Sequence, residues 1–182
     1  FEAYPGFGKT KLAVELLKDL KKAVLVTKTH NEIFEVMRMF GGKGLAYSYG
    51  RPSICYMLRQ FNYRTCLAYR TVGKCREKVS RPLIAWLAKQ LRTPDEIRKF
   101  SRDNQICLYK ALKTWVSKSS RAVITYDYLM FNPQVVEKRD YAIFDEAHHI
   151  MDYLDETVIQ VDEAFILSLT SALKSAENTR PI

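Results

Sequence analysis

Apolar side chains recur at helical spacing from the start of the chain. Leu12, Ala13, Leu16, Leu17 and Leu20 fall three or four residues apart and predict an amphipathic helix opening near Thr10. The run Ala23 to Val26 predicts a strand, and Thr27 to Glu32 the polar loop after it. Ile33 to Phe40 is helical in pattern and is stopped by Gly41 and Gly42. Over residues 43–78 the periodicity fades into turns, aromatics and three cysteines. Pro82 to Leu91 reads as an amphipathic helix through Leu83, Ile84, Leu87 and Leu91. Thr93 then caps a further helix, with Pro94 in its first turn and Glu96 completing a capping box. Cys107 falls in or just before a helix carrying Leu108, Ala111, Leu112 and Trp115. Ala122 to Tyr126 and Tyr141 to Phe144 are short runs of buried-strand type.

This order predicts an α/β fold, a parallel sheet covered by helices. The stretch before the strand at 122 is too long for a simple crossover, so it predicts an inserted, mostly helical, cysteine-bearing subdomain. The resulting divisions are 1–42 (first part of the sheet domain), 43–121 (insert), 122–150 (return to the sheet) and 151–182 (acidic and helix-prone).

Two motifs carry chemistry. Ala3 to Thr10 reads as a phosphate-binding loop opening a helix, and Gly6 and Gly8 give the backbone freedom to aim N–H groups at phosphate oxygens. Ala3, Gly6, Phe7, Gly8, Lys9 and Thr10 are the candidate nucleotide contacts. Lys9 would pair with the β- and γ-phosphates, and Thr10 would hold Mg²⁺ through its hydroxyl. The positive end of the helix dipole would lie under the phosphates. The second motif, Asp145-Glu-Ala-His148, follows a strand, at the end where ligands bind in parallel sheets. Asp145 would hold Mg²⁺, Glu146 would orient and deprotonate the attacking water, and His148 would link the nucleotide state to the rest of the domain. Together the motifs imply binding and hydrolysis of a nucleoside triphosphate, with ATP the leading candidate. A chance Gly-Lys-Thr turn and a solvated acidic turn are the ordinary alternatives to each motif taken singly.

Net charge is +9 over 182 residues, and its distribution sharpens the picture. Residues 43–121 hold 18 Lys and Arg against 4 Asp and Glu, a net +14, while the remainder sums to −5. The same stretch holds Tyr47, Tyr49, Tyr56, Phe61, Tyr63, Tyr69, Trp86, Phe100, Tyr109 and Trp115. Basic groups for phosphates and aromatic faces for bases suit single-stranded nucleic acid. The plainer reading is a solvated basic surface over a small aromatic core, to which Trp86 and Trp115 belong. No run is apolar and long enough to span a membrane, and no signal peptide is visible. The chain begins at the phosphate loop without the strand that should feed it, which reads as a piece of something larger.

All four cysteines, Cys55, Cys66, Cys75 and Cys107, lie in the insert. Four thiolates suit an iron–sulfur cluster or one Zn²⁺, although no Cys-x-x-Cys pair occurs, and four unrelated buried cysteines are the alternative. Lys74 and Arg76 flank Cys75 and are expected to lower its pKa.

The phosphate loop, Thr29-His-Asn-Glu32, the cysteine insert, Thr125-Tyr-Asp-Tyr128 and Phe144 to His149 together resemble the XPD family of iron–sulfur superfamily 2 DNA helicases. The resemblance covers most of the chain. It implies a RecA-like motor domain of an ATP-dependent helicase that moves 5′ to 3′ on single-stranded or forked DNA, associated with nucleotide excision repair and its protein complexes. It implies a 4Fe-4S cluster on Cys55, Cys66, Cys75 and Cys107, and contacts from Thr29 and His30 to the DNA backbone. It places the start of a helical arch domain near residue 151. The middle cysteines stand farther apart than is usual in the family. The second motor domain and its arginine fingers are missing, so this chain alone is expected to hydrolyse ATP poorly. Compactness points to an archaeal, cytoplasmic and monomeric member; a eukaryotic one would be nuclear. Two other readings stand beside it. One is a zinc-binding nucleic-acid-binding module with a degenerate ATP site. The other is an ATPase that remodels RNA or protein–DNA complexes.

Overall fold

The computed structural model describes residues 8–41, 44–90, 92–148 and 150. The chain divides into two units, residues 1–147 and 148–182. The expected arch segment, 151–182, lies outside the described residues, as do Ala3, Gly6 and Phe7.

Within the first unit a four-stranded, all-parallel sheet has the order β2-β3-β1-β4. Its strands are β1 (Ala23–Thr27), β2 (Leu45–Ser48), β3 (Arg121–Thr125) and β4 (Tyr141–Phe144). β1 and β3 are the inner strands and pair in register from Ala23↔Arg121 to Thr27↔Thr125. Val24, Leu25 and Val26 are fully buried, each stabilising by about 2 kcal/mol on burial. α1 (Lys9–Asp19) packs on α2 (His30–Phe40), burying Ala13, Val14 and Leu17. Gly41, at φ 87°, closes α2 in a left-handed conformation that a side chain would strain.

β2 falls inside the stretch 43–121 that the sequence assigns to the insert. Four residues with a tyrosine and a serine leave too short a pattern to read as a strand, yet all four are buried. The insert proper follows it: α3 (Arg51–Ile54), α4 (Tyr63–Thr71), α5 (Arg81–Lys89), α6 (Pro94–Asp103) and α7 (Tyr109–Lys118). It is mostly helical, as expected. The capping box predicted for α6 is present, with Thr93 accepting from the Glu96 N–H and Glu96 accepting from the Thr93 N–H. α7 packs back on β2, so the insert is anchored to the sheet at its C-terminal end.

Two expectations are corrected. Tyr126, read as the last strand residue, instead opens α8 (Tyr126–Phe131), because the Thr125 hydroxyl caps that helix by accepting from the Tyr128 N–H. α9 (Gln134–Glu137) then leads to β4. β4, read as buried, is an edge strand with Tyr141 54% and Phe144 37% exposed. Apolar content alone does not separate an inner strand from an edge one.

Candidate functional site

Gly8 precedes α1 at φ 88°, a left-handed conformation suited to glycine. The turn sets Lys9 and Thr10 at the first positions of the helix, beside the loop after β4. The Thr10 hydroxyl donates to the Asp145 carboxylate at 2.9 Å, although 135 residues separate them. Asp145 is buried, and its backbone N–H donates to the Val26 carbonyl, which locks the acidic loop to β1. Next to this pair the Lys9 ammonium lies 3.6 Å from a Glu146 carboxylate oxygen, both side chains partly exposed. Glu146 has φ 52°, an uncommon conformation for a non-glycine residue and one that concentrates at functional sites. The four side chains to which the sequence assigns the triphosphate chemistry thus form two adjacent pairs. His148 falls in the second unit.

Tyr126 is a participant that the sequence reading missed. Its hydroxyl donates to the Asp145 carbonyl at 2.9 Å, and its ring stacks near Phe144. The signal was present in Thr125-Tyr-Asp-Tyr128, but no pattern assigns a tyrosine to a carbonyl 19 residues away.

Thr29 is exposed and caps α2: its hydroxyl accepts from the Glu32 N–H, and the Glu32 carboxylate accepts from the Lys28 and Thr29 N–H groups. His30 is half-buried, edge-on to Tyr49 at 4.9 Å, with Nε2 3.5 Å from the Ser53 hydroxyl. From the first turn of α2 it therefore packs against Tyr49 and α3. Burial holds its imidazole below the ordinary 6.5, outweighing the opposite pull of Asp127. The unfolded chain then takes up the proton at higher pH than the folded one. The contribution to stability is full above about 6.5 and is lost as pH falls below it. Denaturant midpoints are expected to drop between pH 7.5 and 5.5, and to drop less in His30→Gln. Equal drops in both proteins would contradict this role.

The four cysteines, scattered in sequence, line one cavity with about 290 Å³ of empty space, part of it open to solvent. None is in a disulfide. Local hydrogen bonds bring them there. The Cys55 N–H donates to the Arg51 carbonyl as α3 ends, and the Cys66 N–H donates to the Asn62 carbonyl as α4 begins. The Cys75 N–H donates to Tyr69, and a bridge between Glu77 and Cys107 is closed by the Cys107 N–H donating to the Arg76 carbonyl. Arg51 binds the cavity wall together: it donates to Cys66 Sγ at 3.7 Å, pairs with Glu77 at 3.1 Å, and lies 4.0 Å over the Tyr109 ring. The expected lowering of the Cys75 pKa by Lys74 and Arg76 is overturned. Burial raises it, and Lys74 instead lies over the Tyr69 ring. Burial likewise pushes the Cys107 thiol up to about 12. Among the described residues, no three His, Cys, Asp or Glu side chains gather around one metal-ion position.

The aromatic set divides. Tyr47, Tyr49 and Tyr109 are core, with the Tyr47 and Tyr49 hydroxyls bonded to carbonyls of Leu87 and Arg92. Trp115 is edge-on to Tyr47, and Trp86 lies between Phe100 and Arg92. Tyr63 is 44% exposed.

The four-stranded parallel sheet and its covering helices make an α/β domain of RecA-like type. More particularly, the fold is that of the XPD helicases. One solved XPD helicase structure matches 81% of this chain at 25% identity and a TM-score of 0.55. A truncated XPD matches 81% at 22% identity and a TM-score of 0.52. This chain spans 28% and 47% of the length of those two chains. No family model and no curated protein sequence matches it. Among the described residues no helix is long and apolar enough to cross a membrane.

Proposed function

We propose that the chain is the first motor domain of an ATP-dependent DNA helicase of nucleotide-excision-repair type, moving 5′ to 3′ on single strands, with an iron–sulfur insert between β2 and β3. The reading is supported above all by the Thr10 hydroxyl lying 2.9 Å from the Asp145 carboxylate, which brings a helix-opening hydroxyl and a strand-end acid to one point. That donor pair suits Mg²⁺, which when bound supplies positive charge against the triphosphate.

The roles of the residues follow from their chemistry. Ala3, Gly6, Phe7 and Gly8 would offer backbone N–H groups to the phosphates. Lys9, held by Glu146 before nucleotide arrives, turns its ammonium to the phosphates and frees the Glu146 carboxylate to accept a proton from water. Asp145 is fixed between Thr10, Val26 and Tyr126. His148 relays the nucleotide state. Thr29 offers its hydroxyl proton to the strand backbone, and His30 holds that loop against the insert. The second motor domain, on a separate part of the protein, completes the ATP site and steps against this one.

Cys55, Cys66, Cys75 and Cys107 fit a 4Fe-4S cluster. They are free thiols lining one cavity. A polynuclear centre suits donors spread around such a cavity, whereas one Zn²⁺ needs all four drawn to a single point at about 2.3 Å. The cluster would join four separate turns of the insert into one rigid unit.

The reading is tested by ATP hydrolysis of the full-length protein with single-stranded DNA or RNA of one sequence. Stronger stimulation by DNA is expected. Equal or stronger stimulation by RNA would reassign the substrate.

A further inference from the structure

An exposed aromatic group sits beside the cysteine cavity, which Phe61 lines. Tyr63 opens α4 and is 44% exposed; Phe131 closes α8 and is 57% exposed. Their ring centroids are 4.9 Å apart at a tilt of 37°, and Phe61 supports Tyr63 edge-on at 4.8 Å. The pair is formed by two regions distant in sequence, one from the insert and one from the sheet domain.

Neither ring is needed by a core. α4 buries none of its nine residues, and Phe131 projects from the last position of a helix whose buried residues are Tyr126 and Tyr128. Two large rings held against each other in water need a further reason. α8 runs directly from the carboxyl end of β3, the end at which a parallel sheet binds its ligands. Its six residues span about 9 Å, from Tyr126, bonded to the Asp145 carbonyl, to Phe131. Arg59 and Arg64, both exposed, flank Phe61 and Tyr63 in sequence, within a stretch of net charge +14. Asp127 and Arg51 both lie near enough to act on Tyr63, and their charges offset.

We propose that Tyr63 and Phe131 form a stacking platform for unpaired bases of a single strand that crosses the seam between insert and sheet domain. The inference rests on the nucleic-acid reading above and adds a site to it. Tilted rings in a basic setting accept the flat face of any base, while the neighbouring guanidinium groups hold phosphates. A strand seated there is one short helix from Asp145.

The test uses the full-length protein and a fluorescent oligo-dT, with binding followed by anisotropy over a salt series. Tyr63→Ala and Phe131→Ala are each expected to weaken binding by about tenfold. The salt slope is expected to stay that of the wild type, since no phosphate contact is lost. Tyr63→Trp retains affinity, and its indole emission is quenched by the oligonucleotide. Both positions are exposed, so the alanine variants keep the wild-type melting temperature. Wild-type affinity in both alanine variants would overturn the platform, and would hand the patch to a protein partner, while leaving the helicase reading intact if single strands still stimulate ATP hydrolysis. A wild-type protein that binds no single strand would overturn both.

Discussion

Replacing Lys9 by Ala in the full-length protein is expected to lower ATP hydrolysis by about a hundredfold or more, the usual cost of removing one preorganised charge-stabilising donor. Glu146→Gln is expected to do the same by a different route. It keeps the shape of the side chain and removes the base, a loss of about 10²–10⁴ in rate. Neither change should disturb folding. The Lys9–Glu146 pair is partly exposed at 3.6 Å, and such pairs contribute about 0–1 kcal/mol. Single-strand affinity should survive in both variants, because the basic insert is untouched. Asp145 is the more dangerous position to alter. Asp145 is buried and bonded to Thr10, so Asp145→Ala would leave a part-buried hydroxyl without its acceptor, and loss of activity there would be confounded with loss of structure. Hydrolysis at the wild-type rate in Lys9→Ala or Glu146→Gln would remove these residues from the chemistry.

Cys107→Ser carries the second large effect. Anaerobically purified wild-type protein is expected to hold about four irons and four acid-labile sulfides per chain, and the variant to lose most of both. Serine offers a hard oxygen where a soft thiolate is needed. The fold around the site should persist, since the bridge from Cys107 to Glu77 uses backbone groups and the adjoining Leu108 and Tyr109 remain buried. Zinc in place of iron, or metal content unchanged by the substitution, would contradict the assignment. Strand separation is expected to fail in the variant while some ATP hydrolysis remains, because the nucleotide pairs at Thr10–Asp145 and Lys9–Glu146 are built without the insert.

Much of the sheet domain was legible because its signals are local. The helix after Lys9, the strand at Ala23 and the capping box at Thr93 follow from spacing and from hydrogen bonds three residues apart. What was not legible depends on distant partners. β2 is too short to show a period and is a strand because β3 lies beside it. α4 has no buried face, so no amphipathic pattern marks it. The exposure of β4 is set by its place at the sheet edge, not by its composition. The candidate site divides in the same way. Residue types at Lys9, Thr10, Asp145 and Glu146 mark them as candidates, but only the fold supplies Tyr126 behind Asp145 and Arg51 behind Cys66. The cysteine spacing argued weakly for any shared site. The fold nonetheless draws all four to one cavity through turns that end or begin helices, a device with no sequence period.

The central claim, an ATP-driven DNA motor, is tested most directly by strand separation in the full-length protein, using forked duplexes with a single-stranded tail on either the 5′ or the 3′ side. The account predicts ATP-dependent separation of the duplex with the 5′ tail, little on the 3′ tail, and none with a non-hydrolysable ATP analogue. No separation on either tail, despite ATP hydrolysis stimulated by single strands, would contradict it and leave a translocating or remodelling ATPase in its place.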